Sequence, residues 1–382
     1  MKTFLHPLQN LAEMEAIYTK AKSNRGILEI SGCMESQKAH LIYGLSGLFT
    51  SHLILAEDEK AAKELYEDYR FYDKNVYYYP AKDLLFFQAD IHGNLLLRQR
   101  MRVIKALLEQ KENITVVTSI DGCMDYLQPL DKIEKQLIHF RNDSTLDMDK
   151  LKDALVHMGY ERVGQVEMPG QFSVRGGIVD IYSLTEENPW RIELWGDEID
   201  SIRTFDSQSQ RSLENLDEIM IYPATEQPAE KGGVSFLDYF AEKNSLVFLD
   251  EPNRLEENAR AVEEEFRQSC ENRQQKGEEN ISQNWMCRWE DLNHKLNNRN
   301  CISVSLMEPK RADWKITEQF NLTVKSMSSY QSSFELLVKD LRQYKKQGYQ
   351  IVLLSGSRTR AERLAKDLQD EGLSAFYGQD FD

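Results

Sequence analysis

The stretch Gly26-Ile-Leu-Glu-Ile-Ser-Gly-Cys-Met-Glu-Ser-Gln-Lys-Ala-His40 sets the pattern of the chain. It begins as a short apolar strand, turns at Gly32 and continues as a helical segment. The same alternation extends to about residue 130, with further strand candidates at 53–56, 76–79 and 114–118. Alternating strands and helices predict an α/β fold, in which a parallel sheet is covered by helices on both faces.

Composition limits the size and the partners of the protein. The chain has 382 residues, enough for two or three domains. Its 47 Lys and Arg residues face 63 Asp and Glu residues, and the net charge of −16 argues against a large basic surface for nucleic acid. No apolar run has the length of a membrane span or the character of a signal peptide. The five scattered cysteines indicate reduced thiols, so we expect a cytoplasmic protein.

A small domain is predicted inside the larger one. Between residues 133 and 224, hairpin-like segments with Gly-Gly and Gly-Asp turns replace the alternation of strands and helices. After residue 224 the alternation of strand and helix patterns resumes. We therefore predict an inserted α+β domain at 133–224 and a discontinuous scaffold that consists of residues 1–132 and 225–330.

A further unit is predicted after the serine-rich segment 326–333. Ser332 and Glu335 have the spacing of a capping box for one helix, and residues 349–354 have the pattern of a strand that leads into a second helix. So few elements cannot bury their own apolar faces. We expect residues 334–382 to be the start of a further α/β domain and the chain to be part of a longer protein.

The turn after the first strand matches a phosphate-binding loop only in part. In the pattern G-x-x-x-x-G-K-[ST], Gly32 and Lys38 fit. Gln37 replaces the second glycine and Ala39 replaces the hydroxyl residue, so backbone freedom and a ligand for Mg²⁺ are both missing. Glu35 adds a negative charge where phosphate would lie. The pattern favours an ordinary turn or a decayed nucleotide site over a working one.

A second element lies at the end of the apolar run 246–249, where Asp250 and Glu251 follow. In NTPases such a strand end presents one carboxylate to Mg²⁺ and the next to the attacking water. Capping of the next turn by Asp250 is the alternative. A P-loop-like turn followed by this element is the order of a RecA-like fold, so we predict a degenerate NTPase scaffold without catalytic residues or a bound cofactor. Its vestigial nucleotide site would comprise Gly32, Lys38, Asp250 and Glu251.

The strand at residues 190–195 alternates between two faces. Its even-numbered residues are apolar and predict the core face. The odd-numbered residues, Arg191, Glu193 and Trp195, fall on the solvated face, and Arg and Trp are enriched in protein-binding hot spots. Two alternatives stay open: Trp195 folds onto its own domain, and Arg191 pairs with Glu193 or a neighbouring carboxylate.

Three segments of the predicted insert, at 168–182, 191–203 and 205–212, closely resemble the nucleotide-excision-repair protein UvrB. They resemble even more the amino-terminal, UvrB-like region of the bacterial transcription-repair coupling factors. UvrB keeps an intact phosphate-binding loop, whereas that region of the coupling factors has a degenerate one. The residues Gln37 and Ala39 therefore favour the coupling factors.

The resemblance implies a module that recruits UvrA through the inserted domain. In the family the docking surface uses an arginine in an F-x-x-R-G element, followed by an arginine and an aromatic residue on the next strand. The matching residues are Arg175, Arg191 and Trp195. By this resemblance, we expect the two arginines to pair with carboxylates of UvrA and the tryptophan to act as an apolar anchor.

The resemblance also implies properties of a full-length family member. Separate motor domains hydrolyse ATP with Mg²⁺, translocate on duplex DNA and displace stalled RNA polymerase, and a distant carboxy-terminal domain covers the UvrA-binding surface in an autoinhibited state. Two alternatives remain: an active UvrB-like ATPase or helicase, and a DNA-damage-binding module. The net charge of −16 argues against the second.

Overall fold

The computed structural model describes residues 2–23, 25–82, 93–109, 113–226, 229, 232–276, 286–308, 314–325, 327, 329–330 and 332–378. Two compact units are present. The smaller unit comprises Met1–Met14 and Thr323–Asp382, and the larger unit comprises Glu15–Leu322. The boundaries predicted for the individual domains stay predictions.

Seven parallel strands form the scaffold sheet of the larger unit. Four of them are buried along almost their whole length because helices cover both faces of the sheet. The predicted α/β fold with a RecA-like parallel sheet is confirmed. In spatial order the strands are β17 (Ile316–Asn321), β1 (Gly26–Ser31), β16 (Asn300–Val304), β15 (Ser245–Asp250), β2 (Ser51–Ala56), β4 (Ile114–Ser119) and β3 (Val76–Tyr79).

Helices connect these strands at the places where the sequence carries start signals. Asp58 caps one helix by accepting a hydrogen bond from Ala61 N at 2.7 Å, as its position predicts. The charge-rich sequence at 253–280 predicts a solvated helix, and the helix observed there ends at Gln275; residues 277–280 lie outside the described residues. The scaffold helices are α2 (Met14–Ser23), α3 (Glu35–Ser46), α4 (Glu59–Tyr69), α5 (Gly93–Leu108), α6 (Ile120–Met124), α7 (Leu130–Glu134), α9 (Pro252–Gln275) and α10 (Trp289–Leu296).

A second sheet of six strands belongs to the inserted domain. Its strands are antiparallel apart from one short parallel edge pair, and glycines with positive φ occupy two of the turns, Gly176 and Gly196. Helix α8 (Met148–His157) is followed by β7 (Glu161–Arg162), β8 (Gln171–Arg175), β9 (Ile178–Ile181), β10 (Trp190–Trp195), β11 (Glu198–Phe205) and β12 (Ser212–Leu216).

Two antiparallel pairs complete the larger unit. Strands β6 (Ile138–Arg141) and β13 (Glu218–Ile221) pair with each other, so the two ends of the inserted domain lie side by side. Strands β5 (Tyr126–Leu127) and β14 (Val234–Ser235) form a shorter pair. The sequence at 236–242 predicts a helix, whereas the structure has a single 3-10 turn at Phe236–Tyr239.

A buried cluster of charges joins the inserted domain to the scaffold. Arg100 of α5 is fully buried, and its Nε and Nη2 donate to the two carboxylate oxygens of Glu226 at 2.6 and 3.0 Å. Glu226 lies just after β13 and also contacts Lys82. Asp125 Oδ2 lies 2.7 Å from Arg100 Nη2. Because an unpaired buried charge is strongly destabilising, this cluster fixes the chain where it leaves the inserted domain.

The same helix holds a second segment of the insert, the loop after β9. Arg98 Nη2 donates to the carbonyl oxygen of Glu186 at 2.9 Å, and its Nε donates to Leu184 O at 3.3 Å. Lys105 Nζ lies 2.5 Å from Glu186 Oε1. One scaffold helix therefore anchors two separate segments of the inserted domain.

The smaller unit contains α1 (Lys2–Gln9), α11 (Phe334–Lys346) and α12 (Arg358–Asp370). The last two helices bury Val338, Leu341 and Leu368. The cap predicted at Ser332 is wrong by one residue: Ser333 accepts a hydrogen bond from Leu336 N, and Ser332 has a φ of 68°.

The strand predicted at 349–354 is also absent from these described residues, and their apolar side chains are exposed. A strand needs a neighbour for its backbone hydrogen bonds, and the described part of this unit supplies none.

We expect Glu226→Gln to lower the free energy of unfolding by about 3 kcal/mol at neutral pH. Burial alone would raise the pKa of Glu226, but Arg100 and Lys82 lower it to about 2, from an ordinary 4.5. The ionised carboxylate therefore stabilises the fold above about pH 4.5, and this stabilisation is lost as the pH falls toward 2. Urea denaturation at several pH values measures the effect.

The matched control is Glu218→Gln, which removes a carboxylate that is mostly exposed. It should change the free energy of unfolding by less than about 1 kcal/mol. A difference between wild type and Glu226→Gln that stays constant from pH 7 to pH 2 would contradict the role of the Glu226 charge.

Candidate functional site

The turn after β1 brings Lys38 of α3 to the carboxyl end of β15. Lys38 is only 1% exposed. Its Nζ lies 2.7 Å from Asp250 Oδ1, 3.0 Å from Glu251 Oε1 and 2.9 Å from Glu35 Oε2. The lysine that would contact phosphate in a working P-loop is thus paired with three carboxylates of its own chain.

The electrostatics of this cluster oppose an incoming phosphate. Burial favours the neutral form of Lys38, but the surrounding carboxylates, Asp250 foremost, raise its pKa above the ordinary value. Burial raises the pKa of Asp250 to about 6, against the opposing effect of Lys38. At neutral pH one positive charge faces three negative ones, so another anion would be repelled.

Gly32 is required by the packing of the protein itself. It has a φ of 78°, and an added Cβ would lie 2.1 Å from the carbonyl oxygen of Leu322. Leu322 N donates to Ser31 O at 2.9 Å, so the segment after β17 passes directly over the turn. Ala39 is buried and presents a methyl group where the motif would supply a hydroxyl. The close approach of Leu322 explains this glycine without a nucleotide.

The second candidate site is the outer face of the inserted sheet, where Asp180 holds two arginines. Asp180 Oδ1 accepts from Arg191 Nε at 2.7 Å, and Oδ2 accepts from Arg191 Nη2 at 2.9 Å and from Arg175 Nη2 at 2.6 Å. The Asp180 side chain is almost completely buried, whereas the Arg175 side chain is 48% exposed. Two of the predicted binding residues therefore share one buried carboxylate.

Arg191 is more enclosed than its neighbour, with a side chain that is 13% exposed. Its guanidinium carbon lies 4.2 Å from the centre of the Phe205 ring, and its Nη2 also donates to Gln210 Oε1 at 3.0 Å. The pairing of Arg191 with a neighbouring carboxylate, left open above, is thus observed. The partner is Asp180, because Glu193 pairs with Arg203 instead.

Trp195 lies at the end of β10, just before the turn at Gly196, and is 83% exposed. It does not fold onto its own domain. On the opposite face, Trp190 and Ile192 are buried as predicted. Leu194 is only partly buried, because the pairing with β11 shifts register between Glu193 and Leu194.

The sequence analysis missed Asp180, Phe205 and Gln210. A signal for Asp180 was available in the two-residue turn Gly176-Gly177. That turn pairs Arg175 with Ile178 and Ser173 with Asp180, so Arg175 and Asp180 fall on the same face. The contacts of Phe205 and Gln210 depend on the pairing of more distant strands and left no local signal.

Comparison with known proteins identifies the region that carries this face. Residues 138–226 match the family described as the UvrB interaction domain. The chain is 28% identical to the transcription-repair-coupling factor of Bacillus subtilis over 91% of the chain and 35% of that protein. It is 25% and 24% identical to the corresponding proteins of Staphylococcus epidermidis and Staphylococcus aureus, over 78% of the chain and 30% of each protein.

The predicted resemblance to the amino-terminal region of the transcription-repair coupling factors is confirmed. The chain spans about a third of the length of these curated relatives. Among the described helices, none combines the length and the apolar character needed to cross a membrane.

We expect Lys38→Met to lower the free energy of unfolding by roughly 3–5 kcal/mol, because it leaves Asp250 buried without its counter-ion. The double variant Lys38→Met/Asp250→Asn should recover most of this loss. Urea denaturation at pH 7 measures both. Lys20→Met is the control, since Lys20 pairs with Glu318 at a position where both side chains are partly exposed, and it should cost at most about 1 kcal/mol. Wild-type stability of Lys38→Met would contradict a structural role for the lysine.

Proposed function

We propose that the chain is the UvrA-recruiting module of a transcription-repair coupling factor. In this proposal the inserted domain docks on UvrA, and the RecA-like scaffold positions it. The observation that carries the proposal is the match of residues 138–226 to the UvrB interaction domain, on which Trp195 is exposed and Arg175 half-exposed.

The residue types on this face support protein docking. A tryptophan with 83% of its surface in water is an unusual exposure of a large apolar side chain. Trp and Arg are also the residues most enriched in binding hot spots. We assign the apolar anchor to Trp195, and the pairing with carboxylates of UvrA to Arg175 and Arg191. Arg175 has the greater accessible surface of the two arginines.

The proposal extends to the whole protein of which this chain forms the matched part. Its relatives are named as coupling transcription to repair, and about two thirds of their length lies outside the match. We assign ATP and Mg²⁺ binding, translocation on duplex DNA and the removal of stalled RNA polymerase to motor domains in that remainder. Coverage of the UvrA-binding face by the carboxy-terminal domain, and a cytoplasmic location, belong to the same proposal.

The scaffold, in this proposal, binds no nucleotide of its own. Three observations support this: Lys38 is paired with carboxylates, the cluster has excess negative charge, and Leu322 lies against Gly32. We therefore regard Gly32, Lys38, Asp250 and Glu251 as vestigial.

We expect the variant Arg175→Ala/Arg191→Ala/Trp195→Ala to bind UvrA at least about thirtyfold more weakly than wild type, since removal of one such anchor often costs about 2 kcal/mol. Calorimetric titration with purified UvrA measures this. Arg141→Ala/Val156→Ala is the matched control, because it removes an exposed cation and an exposed apolar side chain elsewhere on the inserted domain. Failure of the wild-type chain to bind UvrA would overturn the function, and wild-type affinity of the triple variant would overturn the site.

We expect titration with Mg-ATP, up to millimolar nucleotide, to give no saturable binding to the chain. The reason is the internal pairing of Lys38 and the net negative charge around it. Saturable binding that is lost in both Lys38→Ala and Asp250→Asn would favour the alternative of an active UvrB-like ATPase.

A further inference from the structure

We propose that Asp180 is a positioning residue of the UvrA-binding face, which orients Arg175 and Arg191 and leaves one uncompensated positive charge for an acidic surface of the partner. The inference rests on the proposed function and adds a residue that the resemblance does not assign. It also narrows the pairing with UvrA that is proposed above: Arg175 contacts a carboxylate of UvrA, whereas Arg191 stays paired with Asp180.

Asp180 contacts both arginines of the face. Its buried carboxylate accepts two hydrogen bonds from Arg191 and one from Arg175. Two-point pairing fixes the plane of the Arg191 guanidinium, and the Phe205 ring lies against that plane. If Arg191 swung toward a partner, Asp180 would lose most of its compensation in a buried position. Arg191 is therefore held within the sheet face.

Charged side chains occupy opposite positions on neighbouring strands of this sheet. Asp180 lies directly opposite Arg191, and Arg191 lies directly opposite Arg203. Like charges in opposite positions destabilise a sheet, so each of these arginines needs its own carboxylate. Asp180 forms an ion pair with Arg191, and Glu193 forms an ion pair with Arg203. Both carboxylates are thereby committed to arginines of the central strands.

Arg175 carries the positive charge that remains when the arginines and carboxylates of this cluster are paired. Within this cluster of contacting side chains, three guanidinium groups share two carboxylates, so the cluster carries one more positive charge than negative. Arg175 has a single hydrogen bond to Asp180 and is the most exposed of the three arginines. Its free donors face solvent and can pair with a carboxylate of a partner.

The positive charge of Arg175 lies beside Trp195, the proposed apolar anchor. Leu194 N donates to Gly177 O at 2.8 Å. The turn that follows Arg175 therefore lies against the end of the strand that presents Trp195. The matching surface of UvrA should combine a carboxylate with an apolar pocket for an indole ring.

Asp180→Asn tests the inference because it separates charge from positioning. The substitution keeps the size of the side chain and makes the face more positive. If net charge alone governed binding, the variant would bind an acidic surface as tightly as wild type or more tightly. Positioning predicts the opposite: UvrA affinity about tenfold lower, mainly through faster dissociation. Surface plasmon resonance on the whole chain, at a temperature where thermal denaturation shows the variant to be folded, measures both rates.

Three further variants control for folding and for the coupling of residues. Glu193→Gln breaks the pair with Arg203 on the same face and should change affinity less than Asp180→Asn does. In the background of Arg175→Ala, Asp180→Asn should have a smaller effect on affinity than in wild type. Arg191→Lys keeps the charge but loses the two-point pairing, so it should weaken binding even if Asp180→Asn does not fold.

Wild-type or higher affinity of folded Asp180→Asn, or wild-type affinity of Arg191→Lys, would overturn the positioning role. Equal losses in Glu193→Gln and Asp180→Asn would also overturn it, in favour of a general disturbance of the sheet face by any broken ion pair. If the wild-type chain itself did not bind UvrA, the proposed function would fail instead.

Discussion

A charge that is removed from water must be paired, and this constraint determines how the larger unit is held together. Three ionised side chains, Arg100, Lys38 and Asp180, are almost completely buried. Each one has at least one partner on another segment of the fold. Arg100 joins the scaffold to the exit of the inserted domain, Lys38 joins α3 to β15, and Asp180 joins β9 to β8 and β10. Because loss of one partner leaves a buried charge uncompensated, these pairs fix the relative positions of elements that are distant in sequence.

The same constraint explains how side chains of the chain itself hold the turn after β1. In a working P-loop the lysine charge is satisfied by phosphate. Here Asp250, Glu251 and Glu35 satisfy it, and the chain after β17 covers Gly32. Internal contacts therefore maintain the strand–turn–helix geometry of the scaffold to which the inserted domain is attached.

The sequence predicted the elements whose burial is uniform and missed those that depend on distant partners. Strands β1, β2 and β4 are buried along almost their whole length because both faces are covered, so their mainly apolar pattern is local. Strand β17 alternates between half-buried and exposed residues at the edge of the sheet and was not recognised. Residues 349–354 have a strand-like pattern but form none in the described structure, since strand formation requires a neighbour that the pattern does not encode.

On the outer face of the inserted sheet, a local pattern predicted the positions of Trp195 and Arg191, but no local pattern predicted the role of Asp180. Alternation along one strand was enough to place the first two on the solvated face, whereas the role of Asp180 depends on the register of three strands. That register has a functional consequence. A flexible surface arginine loses conformational entropy on binding, but a guanidinium already hydrogen-bonded to a buried carboxylate, as that of Arg175 is, loses less. A preorganised row of charges beside one exposed indole can therefore give a specific interface from few residues, on a chain whose overall charge is strongly negative.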